Sequence, residues 1–362
     1  MKHILLFIDS LGAGGAQRQL AGLAVMLQKR GYGVKVVTYY NHPFYLHVLQ
    51  ENGIAYSCLN IKSKRCLPKL LKVIREFNAD CIISYQTDPN IMACLAAAIT
   101  GTRLIVSERN THQSVSFKDR IAFFLYRWAA FVVPNSFSEE SFLRAYCSSL
   151  KSKLMTIPNF VDLDHFAVGH RQIRHIAMRL VVVASVKESK NTKNFILAFK
   201  KAVDAGLQLT AEWYGVNPKE NDLAENNAYT DECMQMISQL NLKGQLKLLP
   251  KIKNIAQAYR EADVFCLPSH FEGTPNAICE AMAASLPVVC SRVCDNSRYV
   301  EQGVNGMLFD PDNVDEMAQV LLAVDKMSVE QLQAWGKNSR ERAEKMCNKK
   351  NFTESYISLI ES

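Results

Sequence analysis

Short, continuously apolar runs alternate with helix-length amphipathic stretches from one end of this 362-residue chain to the other. Residues 3–8 read as a buried strand and 12–15 as a turn. Ala16, Leu20, Leu23, Ala24 and Leu27 then fall on one helical face. Residues 31–33 end that helix, and 34–39 read as the next strand. Residues 81–85, 103–107 and 130–134 are further strands, separated by helix-length segments. Strands that are apolar on both sides, each followed by a helix, predict a parallel sheet covered on both faces. A polar, His- and Arg-rich stretch, 162–179, interrupts the series. Strands then read at 180–185, 209–214, 246–249, 264–268, 287–291 and 307–309. The pattern predicts two doubly wound α/β domains joined near 158–179, with a small insertion in 227–245 and a terminal helix over 348–362. The length suits two domains, and no internal repeat of 20–50 residues is visible.

Composition narrows the function classes. Apolar residues are 48% and charged residues 21%, which excludes a mostly disordered chain. The net charge of +7 is too mild to argue for nucleic acid, so no nucleic-acid partner is expected. The charge is uneven: residues 1–160 carry +10 and the remainder −3. A basic half beside a slightly acidic half suggests an anionic neighbour for the first, or only a solubilising surface. The eleven cysteines contain no C-x-x-C pair, and a reducing cytoplasm fits them. Neither a signal peptide nor a membrane span is expected, because residues 4–8, 91–100 and 121–133 are too short and Arg127 interrupts the last. Any membrane contact is therefore expected to be peripheral.

Two glycine-bearing turns carry the first chemical signals. Gly12-Ala13-Gly14-Gly15 follows a strand and opens a helix, where N–H groups and the helix dipole can hold an anion. It is not a dinucleotide fingerprint, since Gln17 stands where the third Gly would be, nor a Walker loop. The alternative is simply a tight strand-to-helix turn. The second, Ser269-His270-Phe271-Glu272-Gly273-Thr274-Pro275-Asn276-Ala277-Ile278-Cys279-Glu280-Ala281-Met282-Ala283, follows the strand at 264–268. Thr274 is expected as N-cap with Pro275 at the first helical position. The following N–H groups would then face the carboxyl end of the sheet, where open α/β sheets bind ligands. Glu272 would precede the helix, and Glu280 would lie about two turns inside it.

That segment resembles the E-x(7)-E signature of glycosyltransferase family 4, the retaining glycosyltransferases of GT-B fold. The resemblance runs along nearly the whole chain. Gly14-Gly15-Ala16-Gln17-Arg18 is similar to the family's N-terminal Gly-Gly loop, and Ile157-Pro158-Asn159-Phe160-Val161-Asp162 to its interdomain I-P-N-G-V-D. Ala262-Asp263-Val264, Cys294-Asp295-Asn296 and Gly303-Val304-Asn305-Gly306 with Phe309 and Pro311 are similar to its C-terminal segments. The resemblance implies two Rossmann-like doubly wound domains facing across a cleft. These would be an acceptor-side domain over 1–160, a nucleotide-sugar-binding domain over 161–345, and a C-terminal helix over 346–362 packing back on the first.

It also implies roles. Glu272 would lie against the donor sugar and Glu280 against the nucleotide ribose. Gly273, Thr274, Pro275 and Asn276 would contact the donor sugar and diphosphate, and Gly14 and Gly15 would border the diphosphate. The family's Gly-Arg and Lys-Asn positions correspond to Ala184-Ser185 and Lys190-Asn191. The lysine is present and the arginine is replaced by Ser185. A diphosphate leaving group gains negative charge in the transition state, so a missing cation matters; Lys187 is the nearby candidate to replace it, or else a solvated loop lysine. No divalent metal is expected, since no Asp-x-Asp is read at a plausible donor site and Asp162-Leu163-Asp164 lies in the linker.

Ser107-Glu108-Arg109-Asn110-Thr111-His112 follows another strand. In some members of the family a similar Ser-Glu-Arg-Asn accompanies transfer of hexoses or N-acetylhexosamines to lipid-linked acceptors; His112 would fill the functional histidine position of others, or be a solvated loop residue. Arg109 would bind an acceptor phosphate or pair with Glu108. Lys62-Ser63-Lys64-Arg65 with Lys69, Lys72 and Arg75 is either a membrane- or acceptor-facing surface or a solvated face. Residues 121–133, which follow Arg120 and include Arg127 and Trp128, read as a core helix leading into a strand, more than as an amphipathic membrane-binding segment.

The resulting expectation is a metal-independent, retaining transferase with a front-face mechanism. It would move a sugar from a nucleotide donor, UDP favoured over GDP, to a lipid-linked or surface-polysaccharide acceptor at the cytoplasmic membrane face. The rivals are a catalytically silent nucleotide-sugar-binding partner of another transferase and a GT-B epimerase.

Overall fold

The computed structural model describes residues 1–61, 65–167, 178–218, 224–252 and 254–362. The chain divides into two compact units. Unit 1 comprises Met1–Phe160 with Lys349–Ser362, and unit 2 comprises Val161–Asn348.

Unit 1 contains β1 (His3–Ile8), α1 (Gly15–Lys29), β2 (Gly33–Thr38), α2 (Leu46–Glu51), β3 (Ala55–Cys58), α3 (Leu67–Phe77), β4 (Cys81–Tyr85), α4 (Thr87–Thr100), β5 (Arg103–Glu108), α5 (Phe117–Leu125), β6 (Phe131–Pro134) and α6 (Phe137–Tyr146). Unit 2 contains β7 (Arg179–Val183), α7 (Thr192–Asp204), β8 (Thr210–Val216), α8 (Ala224–Gln239), β9 (Leu246–Pro250), α9 (Ile255–Glu261), β10 (Val264–Leu267), α10 (Asn276–Ala283), β11 (Val288–Ser291), α11 (Asn296–Tyr299), β12 (Gly306–Phe309), α12 (Val314–Asp325) and α13 (Val329–Met346). The chain ends in α14 (Lys349–Glu361), which belongs to unit 1.

Each unit is built on a six-stranded sheet, ordered β3-β2-β1-β4-β5-β6 and β12-β11-β10-β7-β8-β9. The strand pairs are parallel. Both sheets have the doubly wound Rossmann order, which reverses between β1 and β4 in unit 1 and between β7 and β10 in unit 2. The apolar strands are two-sided, as the sequence predicts. Along β1, Ile4, Leu6 and Ile8 enter one core while Leu5 and Phe7 enter the other. Along β10, Val264 and Cys266 divide from Phe265 and Leu267 in the same way.

The final helix closes one of these cores. Phe352, Tyr356, Leu359 and Ile360, spaced on one helical face, pack with Leu20, Leu23, Ala24 and Leu27 of α1. Lys2 and Glu361 form an ion pair at 2.7 Å on the rim.

Three expectations about local structure need correction. The region 227–245 holds no insertion; α8 is a single helix that fills most of it. Strand β3 is absent from the sequence reading because Ala55–Cys58 is a short, incompletely buried edge strand with no apolar run. Residues 121–133 run from a helix into a strand as expected, but the helix is core on one face only. Ala122, Phe123, Leu125 and Tyr126 are buried, whereas Ile121, Phe124 and Trp128 are exposed. The linker reading is described only in part, since 168–177 lie outside the described residues, as do Lys62, Ser63 and Lys64.

Candidate active site

In unit 2 the reversal of strand order brings two loops together, one after β7 and one after β10. A 3₁₀ turn, Glu188–Lys190, precedes α7 in the first loop. Ser269 to Pro275 make the second. The two meet through the Lys190 ammonium, 2.5 Å from Oε1 of Glu272. Both side chains are mostly buried. Ser269 Oγ donates to the same carboxylate oxygen at 2.6 Å, and the backbone N–H of His270 donates to Ser189 O at 3.1 Å. The pair therefore spans the place where doubly wound sheets bind ligands, as an oriented cation and carboxylate.

The surrounding shell fixes that geometry. Ser291 Oγ donates to Ser269 O at 2.5 Å, and Asn296 Nδ2 to Ser291 O at 2.9 Å. The N–H of Glu272 points at Cys294 Sγ, 3.5 Å away. Cys294 is exposed and has φ 46°, in the left-handed region that favours glycine. The loop after β7 is held from the neighbouring strand, where the Trp213 indole donates to Ala184 O at 2.7 Å. Gly215 lies so close that a Cβ on it would sit 1.7 Å from Ala184 O. Ser185 follows directly and is half-buried. Lys187 is extended just before the 3₁₀ turn and partly buried.

The segment from Gly273 to Glu280 departs from the expected cap. Pro275, with φ −78° and ψ 79°, is the N-cap, and the helix starts at Asn276 rather than Pro275. Thr274 is not the cap: its carbonyl accepts from the Asn276 N–H at 2.9 Å, so that N–H is already used. Glu280 lies about one turn inside α10, not two. It is buried and held by the hydroxyl of the buried Tyr259, which donates to Oε2 at 3.1 Å. Ser269 was within reach of sequence reading as the residue three before Glu272. Tyr259 and Cys294 come from other elements and carry no such signal.

The unit 1 candidates sit at the carboxyl ends of its strands. After β1, Asp9 accepts from the N–H of Ser10 at 2.5 Å and from Gln17 Nε2 at 3.0 Å. Gly14 is the N-cap of α1 and Gly15 its exposed first residue. No side chain caps this helix.

The segment after β5 is turned inward. The Arg109 guanidinium is engaged within unit 1. It donates to Asn159 Oδ1 at 2.6 Å and to the Tyr356 hydroxyl at 2.7 Å, and stacks 4.0 Å over the Tyr85 ring. Glu108 is fully buried. It accepts from Tyr126 OH at 2.8 Å and from the N–H groups of Arg109 and Asn110. Burial raises its pKa against those hydrogen bonds. His112 has carboxylates at both ring nitrogens, with Glu139 Oε1 2.7 Å from Nδ1 and Asp119 Oδ1 3.5 Å from Nε2. Burial disfavours the imidazolium. The hydrogen bond and charge of Glu139, with the charges of Glu108 and Asp119, more than reverse this and push the pKa up to about 9.

Among the described residues, no group of three or more His, Cys, Asp or Glu side chains is arranged to hold a metal ion. None of the described helices is long and apolar enough to cross a membrane.

The same two-part organisation appears in known proteins. Residues 13–165 match the family described as Glycosyltransferase Family 4, and residues 173–342 match Glycosyl transferases group 1. The chain is 25% identical over 303 residues to an Escherichia coli UDP-Gal:alpha-D-GlcNAc-diphosphoundecaprenol alpha-1,3-galactosyltransferase, covering 78% of this chain and 75% of that protein. It is 26% identical over 344 residues to a Campylobacter jejuni N-acetylgalactosamine-N,N'-diacetylbacillosaminyl-diphospho-undecaprenol 4-alpha-N-acetylgalactosaminyltransferase, covering 89% of each. The crystal structure of Anabaena HepE in complex with UDP matches with a TM-score of 0.87 and 20% identity, covering 100% of both chains. Two parallel, doubly wound units and these relatives lead to one conclusion: the chain is a glycosyltransferase of the GT-B fold, related to the group 1 and family 4 glycosyltransferases.

Proposed function

We propose that this enzyme is a family 4 transferase, retaining the donor's anomeric configuration. It moves a hexose or N-acetylhexosamine from a UDP-sugar to a lipid-linked or surface-polysaccharide acceptor at the cytoplasmic face of the membrane. The observation that carries the reading is the Lys190–Glu272 pair at the β7/β10 reversal, 2.5 Å apart and mostly buried. A lysine ammonium has three donors, and Glu272 occupies one side of it. The remaining N–H bonds serve the diphosphate, where charge grows as the sugar departs. No step needs a divalent ion when this cation and the backbone N–H groups of Gly273 and Thr274 meet that charge.

The reaction is a front-face displacement. The acceptor oxygen bonds to the anomeric carbon on the side from which the diphosphate leaves. The sugar–phosphate bond breaks, and a leaving-group oxygen takes the acceptor's hydroxyl proton, so UDP departs protonated once. Glu272 orients the sugar and Glu280, steadied by Tyr259, binds the ribose. Gly14 and Gly15 border the diphosphate. Lys187 supplies the second cation that Ser185 cannot. Arg109 and His112 act as positioning residues, because their polar groups are engaged inside unit 1.

The UDP preference is supported by the E. coli relative, whose name specifies UDP-Gal, and by HepE structures holding UDP and UDP-glucose. The lipid-linked acceptor is supported by the undecaprenyl diphosphate named for both relatives. Their alpha-linked products are what retention at an alpha-linked donor gives.

The test is nucleotide release from a panel of UDP- and GDP-sugars, with and without bacterial membrane lipid extract, in wild type and Glu272→Ala. UDP release that needs the extract and is lost in the variant is expected. GDP release would overturn the donor assignment, and full turnover in Glu272→Ala would overturn the site.

A further inference from the structure

Helix α5 and the 3₁₀ turn Tyr126–Trp128 that extends it bury one face and leave the other unpartnered. Phe117 is 79% exposed, Ile121 42%, Phe124 54% and Trp128 49%. They recur every three or four residues, so they form one continuous stripe. A stripe of four large apolar side chains is not ordinary surface scatter. Exposed basic residues flank it. The Arg127 guanidinium lies 3.6 Å over the Phe124 ring, and Arg120 stands beside Ile121. The stripe's own acid, Asp119, is turned inward to Ser116 and His112. The outward face is therefore apolar with a positive border. Helix α3 packs into the same core as α5 and exposes Lys69, Lys72 and Arg75 on that side of the sheet.

We infer that this face docks the enzyme onto an anionic lipid bilayer, with Phe117, Ile121, Phe124 and Trp128 entering the headgroup–acyl boundary and Arg120 and Arg127 meeting lipid phosphates. Charge decides between a bilayer and a second copy of this chain. A two-fold pairing through the stripe would bring Arg120 and Arg127 against their own equivalents, whereas anionic headgroups neutralise them. Aromatic side chains with a basic border are also the composition that holds an interfacial helix in the membrane plane. The helix begins five residues after His112, at the carboxyl end of β5, so docking brings that end of unit 1 to the lipid surface. The inference deepens the lipid-linked acceptor reading.

The experiment is flotation of the full chain with phosphatidylglycerol/phosphatidylcholine vesicles and with phosphatidylcholine alone, with no donor or acceptor present. Failure here is therefore distinct from failure of the transfer reading. Wild type should float with the anionic vesicles, and its Trp128 emission should shift to the blue. Phe117→Ser/Phe124→Ser/Trp128→Ser and, separately, Arg120→Glu/Arg127→Glu should each lower partitioning by about tenfold or more, with UDP binding and thermal melting preserved as a check on folding. Unchanged partitioning in both variants, or no binding by wild type, would overturn the proposal. So would a concentration-dependent dimer that the apolar variant alone abolishes, which would assign the stripe to a second copy.

Discussion

Neutralising His112 with His112→Asn should remove a pH-dependent part of the stability of unit 1. The imidazole side chain is only 7% exposed and lies between Glu139 and Asp119, which raise its pKa to about 9 from an ordinary value of 6.5. A ring with the higher pKa in the folded state holds its proton more tightly there than in the unfolded chain. Its stabilisation is therefore whole below pH 6.5 and fades as pH rises through 9. At about 1.4 kcal/mol per pKa unit, the contribution is on the order of 3 kcal/mol, or very roughly 5–10 °C in melting temperature for a unit of this size. Thermal melts of wild type and variant between pH 6.5 and 10 test it. The gap between them should be widest at the acid end and narrow towards pH 10. The other titrating groups are common to both proteins and cancel in the difference. A gap that stays constant across the range would show that His112 is not charged in the native protein, and the ion-pair argument would fail.

Further outcomes are expected at four places in the structure. Lys190→Ala should lower transfer by about a hundredfold or more in a protein that still folds; the same assay on Lys187→Ala should show a smaller loss, and unchanged turnover there would end the case for Lys187 as the second cation. Gly215→Ala should cost unit 2 about 2–3 kcal/mol in denaturant melts, because its Cβ would sit 1.7 Å from Ala184 O. Tyr356→Phe should cost about 1–3 kcal/mol in the same assay, because the hydroxyl that accepts from Arg109 and Tyr85 is lost; a neutral effect would mean that water replaces it. Alkylation of Cys294 should block donor turnover and be slowed by UDP, whereas Cys294→Ser should resist the reagent.

Most of the fold was legible because the strands are apolar on both sides, so a single run such as Ile4 to Ile8 reports strand, burial and parallel pairing together. The half-buried edge strand β3 has no such run and could not be read. The site was legible as a pair of loops, since Lys190 and Glu272 each lie in the loop that follows a strand. Their 2.5 Å pairing was not, because it depends on β7 and β10 being neighbours in the sheet. Arg109 and His112 were legible as polar residues at a strand end. Their inward commitments were hidden because the partners Tyr356, Asn159 and Glu139 lie far along the chain. The cap at Thr274 failed for a local reason: Pro275 takes a non-helical ψ, and the turn closes on Thr274's own carbonyl.

The position of α14 has a consequence for how the chain is made. Unit 1 is a split unit, with the whole of unit 2 inserted between Phe160 and Lys349. While the ribosome is still producing residues 161–348, the first sheet lacks Phe352 and Tyr356 from its core, and the Arg109 guanidinium lacks one of its two hydrogen-bond acceptors. Unit 2 has all its strands and core before that last helix exists. The second unit synthesised is thus the first that can be completed, and the first waits in an unfinished state for the closing helix.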